Sequence, residues 1–188
     1  MTTTVQPVRT GLVVPVEPTD HTLGPDHAPV TVVEYGDFEC PTCKMAAPGV
    51  KLLLDRYPNR VRLVFRHFPL EEAHPHALQA AEAAESAAAQ GRFWEMHDLL
   101  YENQRRLGDQ DLHAYAEQLG IDVERFDKDL AEHVHAPRVH EDFITGVRSG
   151  VNGTPSFYVN GARHDDSYDF ETLLAALERA AATDRGTG

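Results

Sequence analysis

The sequence predicts an α/β fold in which a split core of strands and helices carries an all-helical insertion. A strand–helix–strand pattern covers about 28–68, and a strand–hairpin–helix pattern lies within about 150–183. Between them, over about 69–149, apolar residues recur at helical spacing. The 188 residues, of which 41% are hydrophobic, suffice for one domain with its own core.

The first half of the core is predicted from two apolar runs and the segment between them. Val30–Tyr35 and Arg60–Arg66 are typical of strands because they are rich in valine and aromatic residues. Met45–Arg56 has the apolar spacing of a helix.

The insertion is predicted to contain several helices, and two residues mark helix ends. Gly120 is a candidate C′ residue, and Asp122 is a candidate N-cap for the segment that follows. The apolar positions at helical spacing are Leu78 and Ala81; Phe93, Met96 and Leu100; Leu112, Tyr115 and Leu119; and Val139, Phe143 and Val147, the last group entered through Pro137.

The second half of the core begins at Pro155, which opens a strand-like run. Asn160–Gly161 predicts a type I′ hairpin turn into the next strand. Asp169 then caps the closing helix.

The two ends of the chain differ from this pattern. Residues 1–20 are rich in Thr, Val and Pro, and they predict an N-terminal arm that is extended, crosses to a partner or is disordered. The domain itself is expected to cover 21–183, followed by a flexible tail at 184–188.

The two cysteines of the chain stand together as Cys40-Pro41-Thr42-Cys43. A disulfide this short closes almost no loop, so stability is a poor reason for the pair and redox chemistry a better one. The pair lies between a strand and a helix, where unpaired N–H groups and the helix dipole lower the pKa of a thiol. Cys40 is therefore predicted as the attacking nucleophile and Cys43 as the buried resolving thiol. Pro41 suits the first helical turn, and the Thr42 hydroxyl offers a further donor.

Two other uses of the cysteines are weighed against this interpretation. A structural zinc site needs about four ligands, but the sequence has no second C-x-x-C and no histidine pair at finger spacing after it. An inert pair of core cysteines does not explain the position after a strand. No metal ligand and no cofactor are predicted.

The chain resembles the DsbA-like branch of the thioredoxin superfamily over about 21–177. The resemblance rests on Glu34–Cys43 (EYGDFECPTC), Phe65–Pro69 (FRHFP), His74–Ala77 (HPHA), Phe93–His97 (FWEMH) and Gly153–Pro155 (GTP). It implies a thioredoxin fold with an inserted all-helical subdomain and a thiol-disulfide oxidoreductase activity.

The resemblance also implies roles for residues outside the cysteine motif. Pro155 is expected to be the family's cis-proline, facing the disulfide. The backbone of Thr154 is expected to pair with an extended substrate segment. With Gly153, Pro41 and Thr42, these residues form the predicted substrate-binding surface.

Glu34 lies six residues before Cys40, where DsbA-like proteins carry a buried acid that moves protons to and from the resolving cysteine. The position of Glu34 inside an apolar strand favours that role over the alternative, in which Glu34 is an ordinary solvated carboxylate. DsbA-like proteins often pair the acid with a lysine on the next strand, but here Arg60–Arg66 offers only arginines.

The eleven histidines are potential metal ligands, but the sequence predicts no metal site for them. His97 falls on an apolar helical face and is predicted to be a core residue with its hydrogen bonds satisfied. His67 and His74 lie in the motifs above but are assigned no catalytic part. The remaining clusters, which could hold a metal only adventitiously, are His74 with His76, and His133 with His135 and His140.

The net charge of the chain bears on its partners, and the composition of its first residues bears on its location in the cell. A net charge of −13 argues against nucleic acid and anionic membranes as partners. The start of the chain lacks the basic and apolar segments of a signal peptide, and no run approaches about 20 apolar residues, so a cytoplasmic location is expected.

The expected function is exchange of a Cys40–Cys43 disulfide with protein or peptide thiols, with an unidentified redox partner that recycles the pair. The Pro-Thr dipeptide matches neither the Gly-Pro of thioredoxin nor the Pro-His of the strongly oxidising members, which predicts an intermediate reduction potential. The direction of net reaction and the oligomeric state stay open. The alternatives are a holdase-like or scaffold protein with a regulatory cysteine pair, and a glutathione-dependent transferase or isomerase.

Overall fold

A computed structural model describes residues 11–184, in which seven helices surround a five-stranded sheet. The elements in chain order are β1 (His21–Leu23), β2 (Val30–Gly36), α1 (Pro41–Arg56), β3 (Val61–His67), α2 (Ala77–Ala88), α3 (Phe93–Glu102), α4 (Asp109–Leu119), α5 (Val123–Ala131), α6 (Ala136–Ser149), β4 (Ser156–Val159), β5 (Ala162–His164) and α7 (Phe170–Asp184).

The sheet has the order β1-β3-β2-β4-β5. Strands β2 and β3 are parallel and joined through α1, whereas the other neighbours are antiparallel. Helices α2–α6 lie between β3 and β4, so the predicted thioredoxin-type fold with a helical insertion is confirmed. Strand β1 was not predicted, because three residues are too few to show an alternating pattern and its pairing with β3 is a tertiary contact.

Alternation along β2 sorts its side chains onto two faces. Val30 and Val32 join a core formed with α1 and α7, and Glu34 lies on the same face by the period of two. Val33 and Tyr35 lie on the opposite face, beside α6, where Gly146 approaches the Tyr35 ring. The strand is therefore buried on both sides, with one carboxylate directed toward the cysteine-bearing helix.

The helical insertion packs around small side chains of α2. Ala80, Ala83, Ala84 and Ala87 are fully buried there, together with Met96, Leu100, Leu112 and Phe126 from α3, α4 and α5. Alanine combines high helix propensity with little volume, which lets neighbouring helices approach closely.

The predicted local signals occur where expected. Gly120 ends α4 in a left-handed conformation, with φ of 66°. The Asp122 side chain accepts a hydrogen bond from the Arg125 N–H at 3.0 Å. Asn160 and Gly161 both have positive φ, 47° and 81°, as a type I′ turn requires. Helix α1 begins at Pro41, so Pro41 lies in the first helical turn, as predicted, and the helix starts four residues before its apolar periodicity does.

The described half of the predicted N-terminal arm lies along its own domain. The Leu12 N–H donates to the Gly161 carbonyl at 2.9 Å, and the Val13 N–H donates to Ser149 Oγ at 3.0 Å. The other half of the arm and most of the predicted tail lie outside the described residues. Within 11–184, no helix combines the length and apolar character needed to cross a membrane.

Candidate active site

Cys40 is the N-cap residue of α1, with extended backbone angles (φ −73°, ψ 120°). Its carbonyl accepts the Lys44 N–H at 3.2 Å, and Pro41 occupies the first helical turn, where a missing N–H is harmless. Both cysteines are free thiols; Cys40 is 6% exposed and Cys43 fully buried. Cys40 is therefore the more accessible of the two residues.

The surroundings of Cys40 favour its thiolate. A hydrogen bond from the Cys43 thiol is the main cause, and the Thr154 hydroxyl and the N–H groups of Cys43 and Thr42 contribute as well. Together they lower the pKa of Cys40 to about 5, although burial acts in the opposite direction. Cys40 therefore ionises readily at neutral pH.

Cys43 has the opposite character. Burial, the hydrogen bond to Cys40 and the nearby Glu34 raise the pKa of Cys43 far above the ordinary range of a thiol. Cys43 therefore keeps its proton unless a neighbouring base removes it.

The loop before β4 lies directly opposite Cys40. The Thr154–Pro155 peptide bond is cis, as the resemblance implied. The Cys40 thiol donates to the Thr154 carbonyl with an Sγ–O distance of 3.3 Å. The buried Thr154 Oγ1 has no hydrogen-bond partner among residues 11–184, so it is available to a thiolate. Gly153 borders open space, because no atom lies within 4 Å of a Cβ placed there.

Glu34 is a buried acid without a basic partner in the described part of the chain. It is 2% exposed, and its Oε1 accepts no hydrogen bond there. Burial, and then the charge of Cys40, raise the pKa of Glu34 to about 8. Arg66 of β3 does not compensate it, because Arg66 lies on the opposite face and pairs with Asp20 at 2.8 Å.

A pocket of about 360 Å³ between α1 and α3 leads to Glu34. Its lining includes Lys44 and Lys51 from α1 and Asp98 and Tyr101 from α3. Water in this pocket can exchange protons with an otherwise enclosed carboxyl group. Sequence reasoning did not find the pocket, because two distant helices form it.

The loop that leads to Cys40 is fixed by two carboxylates. Asp37 Oδ2 lies 2.7 Å from His74 Nδ1 and accepts the Leu70 N–H at 2.9 Å. Glu39 accepts the backbone N–H of His76 at 2.6 Å. Sequence reasoning assigned these groups no part, although the HPHA motif was the available signal.

His97, His133 and His135 lie in separate contacts. His97 is buried, as predicted, and its Nδ1 lies 2.9 Å from an Asp98 oxygen, but its Nε2 has no partner within the described chain. Burial lowers the pKa of His97. His133 and His135 bind different carboxylates, Glu82 and Asp129, so they do not form a common ligand set.

The chain is similar in sequence and structure to several known proteins. A family model described as Thioredoxin matches residues 16–179. A thioredoxin-like oxidoreductase from Silicibacter pomeroyi is 32% identical, with a TM-score of 0.76, over 88% of this chain and 94% of the relative. Oxidised BdbD from Bacillus subtilis is 25% identical, with a TM-score of 0.75, over 86% and 92%.

A different kind of relative is the Na(+)/H(+) antiporter NhaA 1 of Salinispora arenicola, which is 53% identical over 175 residues. The alignment covers 93% of this chain but only 27% of the antiporter protein. The chain therefore spans about a quarter of the length of this relative.

Proposed function

The chain belongs to the thioredoxin family, in its DsbA-like branch, and from that premise we propose that it exchanges a Cys40–Cys43 disulfide with protein thiols through a mixed disulfide at Cys40. The observation that carries the proposal is the contrast between the two sulfurs. Cys40 has a pKa of about 5 and is the more accessible of the two at 6% exposure, whereas Cys43 is fully buried and holds its proton.

The exchange begins with the oxidised pair. A substrate thiolate attacks Cys40 Sγ, the Cys40–Cys43 bond breaks, and Cys43 leaves with the electron pair. Glu34 is mainly protonated at neutral pH because its pKa is about 8, so it can give its proton to the Cys43 sulfur.

The second step releases the product. The other thiolate of the substrate attacks the substrate sulfur in the mixed disulfide, and Cys40 leaves as a stabilised thiolate. Two electrons have then passed from the substrate to the cysteine pair. The reverse sequence reduces a substrate disulfide, and in that direction the Glu34 carboxylate takes the proton of Cys43.

The pKa of Cys40 also bears on the direction of exchange. Thioredoxin combines a thiol pKa of about 7 with a potential of about −270 mV, and DsbA combines about 3.5 with about −120 mV. The pKa of about 5 at Cys40 lies between these two values, which favours a potential between those of thioredoxin and DsbA. This agrees with the intermediate potential expected from the Pro-Thr dipeptide.

Turnover of a disulfide-containing protein tests the proposal. We expect the wild type to exchange disulfides with a reduced, unfolded protein and with glutathione. Cys40→Ser should abolish the exchange, and Cys43→Ser should accumulate a mixed disulfide at Cys40. Thiol-dependent turnover that survives both substitutions would contradict the proposal. Turnover that requires glutathione and Cys40 but not Cys43 would support the transferase alternative.

A second candidate function rests on the 53% identity to a protein named as a Na(+)/H(+) antiporter. We propose that an antiporter of this kind is a redox partner of the domain. Trapping with Cys43→Ser in the cells of origin should then recover a mixed disulfide with the antiporter. Recovery of only other thiol proteins would argue against it.

The cytoplasmic location is also a proposal. Cytosolic glutathione, at about −220 to −260 mV, would keep a pair whose potential lies above that range mostly reduced. Acid quenching of cells followed by alkylation measures this fraction directly. A pair found mainly oxidised would point to an oxidising compartment.

A further inference from the structure

Three potential metal ligands converge away from the cysteines. They are His21 in β1, His67 at the end of β3, and Glu85 in α2. Nε2 of His21 lies 2.6 Å from Glu85 Oε1, and Nε2 of His67 lies 2.8 Å from the same oxygen. The three ligand atoms all lie within 4.8 Å of one another. The proposed exchange reaction uses none of them.

The sheet positions the two imidazoles. His21 is paired with Phe65 across the β1–β3 ladder, and His67 follows Phe65 by two residues. Strand alternation therefore places His67 on the same face as Phe65. Both rings meet Glu85 there, on the side of the sheet where α2 packs.

Aromatic contacts hold the two rings in place. The His21 ring stacks on Phe93, with centroids 3.6 Å apart and planes 7° apart. The His67 ring meets Phe65 and Phe38 edge-on, at 5.4 Å and 5.9 Å. The donors are therefore fixed before any ligand binds, which reduces the entropy lost on binding.

Because Glu85 is buried together with His67, its negative charge needs a compensating positive charge nearby. Glu85 is 7% and His67 1% exposed, and Asp142 is buried beside them and accepts the backbone N–H of His67 at 3.0 Å. Arg138 lies 3.0 Å from Asp142 and pairs with that carboxylate. Two buried acids thus adjoin one arginine and two imidazoles, and a charge in an apolar interior is costly unless it is paired or bound to a metal.

The donor chemistry and spacing suit a small divalent transition metal. Two imidazole nitrogens and a carboxylate oxygen form a ligand set used for Zn²⁺. A tetrahedral ion with bonds of about 2.0–2.1 Å separates its ligands by about 3.3 Å. The carboxylate oxygen must therefore withdraw from each imidazole by several tenths of an ångström. The His21 side chain is 15% exposed, which leaves an approach for the ion and a water ligand.

We propose that His21, His67 and Glu85 form a binding site for a divalent transition-metal ion, for which Zn²⁺ is the probe. The ion would link the N-terminal strand β1 to helix α2 of the insertion. The site is independent of the cysteine pair, so its test and the test of disulfide exchange can fail separately.

The first test uses the oxidised protein, whose sulfurs are bound in the disulfide and do not compete for the metal. Titration calorimetry with Zn²⁺ should show one ion per chain, and His21→Gln should weaken binding at least about tenfold. The matched control is His133→Gln with His135→Gln, which removes two histidines bound to other carboxylates. Zn²⁺ should also raise the melting temperature of the wild type and the control, but not of His21→Gln.

Two results would overturn the proposal. The first is an oxidised wild type that takes up no Zn²⁺, as expected of a group held only by hydrogen bonds. The second is His21→Gln that binds as the wild type does while the control loses binding, as expected of adventitious surface ligands.

A measurement on the unaltered chain covers the case in which a variant fails to fold. Co²⁺ added to the oxidised wild type should give the intense visible bands of four- or five-coordinate cobalt, without a thiolate charge-transfer band. Weak bands like those of hexaaqua cobalt would overturn the proposal. His67→Gln and Glu85→Gln extend the test where circular dichroism shows them folded.

Discussion

At Cys40 and Cys43, three positions apart, the environment moves two pKa values in opposite directions. Donors at the helix N-terminus and in the facing loop stabilise a thiolate at Cys40, whereas burial stabilises the thiol at Cys43. A sulfur with a low pKa leaves a disulfide more readily than one with a high pKa. The two sulfurs are therefore suited to different steps, Cys40 to attack and departure and Cys43 to resolution.

The first prediction concerns the ionisation of Cys40. Alkylation of the reduced protein by iodoacetamide should rise with pH around a midpoint near 5, because only the thiolate reacts. Thr154→Val removes a hydroxyl that favours the thiolate and should raise the midpoint by about one pH unit. Thr42→Val is the matched control, because Thr42 contributes its backbone N–H, which valine retains. An unchanged midpoint in Thr154→Val would show that the hydroxyl does not serve the thiolate.

The second prediction concerns Glu34, whose pKa of about 8 in the folded protein exceeds its ordinary value of 4.5. The folded state thus binds the proton more tightly than the unfolded state, so stability falls as pH rises from about 4.5 to 8. Glu34→Gln mimics the protonated acid and should avoid this loss. Its free energy of unfolding, relative to the wild type, should increase by about 4 kcal/mol between pH 5 and pH 9.

Urea unfolding of the reduced proteins at the two pH values measures this difference. The control is Glu132→Gln, which removes an exposed carboxylate at the end of α5. Its free energy of unfolding should follow that of the wild type at both pH values. A constant difference between Glu34→Gln and the wild type would mean that Glu34 ionises normally in the folded state.

Among the elements, the loop between β2 and α1 determines where Cys40 lies. The Asp37 carboxylate is fully buried and accepts hydrogen bonds from the Glu39 and Leu70 N–H groups, at 2.8 and 2.9 Å. His74 Nδ1 contacts the same carboxylate at 2.7 Å. One side chain therefore connects the approach to the cysteine motif with the loop after β3.

The third prediction follows from these contacts. Asp37→Asn replaces one accepting oxygen with an NH₂ group, which must face a donor in this arrangement. We expect a loss of about 2–3 kcal/mol in the free energy of unfolding, because a buried N–H loses its acceptor. Asp26→Asn, with a side chain that is 91% exposed, should change stability by less than about 0.5 kcal/mol. Equal stability of the two variants would contradict the anchoring role.

The elements that the sequence predicted are those governed by neighbouring residues. The Asp122 cap, the left-handed Gly120 and the Asn160–Gly161 turn each depend on a few adjacent positions. The cysteine motif belongs to this class too, because its placement between a strand and a helix is local. Apolar periodicity alone shows α1 only from Met45, so its first turn was predicted from Pro41 and the cysteine motif instead.

Across the whole molecule, the features that escaped prediction join distant parts of the chain. The pocket at Glu34 is formed by α1 and α3, and the His21–Glu85 contact spans 64 positions. Arg66 was considered only as a partner for Glu34, but its guanidinium turns to the other face of the sheet. Such contacts depend on how elements pack, and a single sequence carries no local mark of them.

Arg66 connects the N-terminal segment to the sheet. Its side chain is 2% exposed and donates to both Asp20 carboxylate oxygens, at 2.9 and 2.8 Å. It also donates to the carbonyls of Val14 and Pro15, at 3.0 and 2.8 Å, and to the Tyr35 hydroxyl at 3.1 Å. Because Asp20 is equally buried, loss of the arginine leaves a carboxylate largely uncompensated.

The fourth prediction is that Arg66→Leu lowers the free energy of unfolding by about 3–5 kcal/mol, as expected when one partner of a buried ion pair is removed. Asp20→Asn in the same chain should recover part of this loss, because no buried charge then remains unpaired. Limited proteolysis should cut residues 11–20 faster in Arg66→Leu than in Arg62→Leu, whose arginine is more exposed and makes weaker contacts. Strictly additive losses in the double variant, with no change in proteolysis, would mean that the pair does not hold the segment against the sheet.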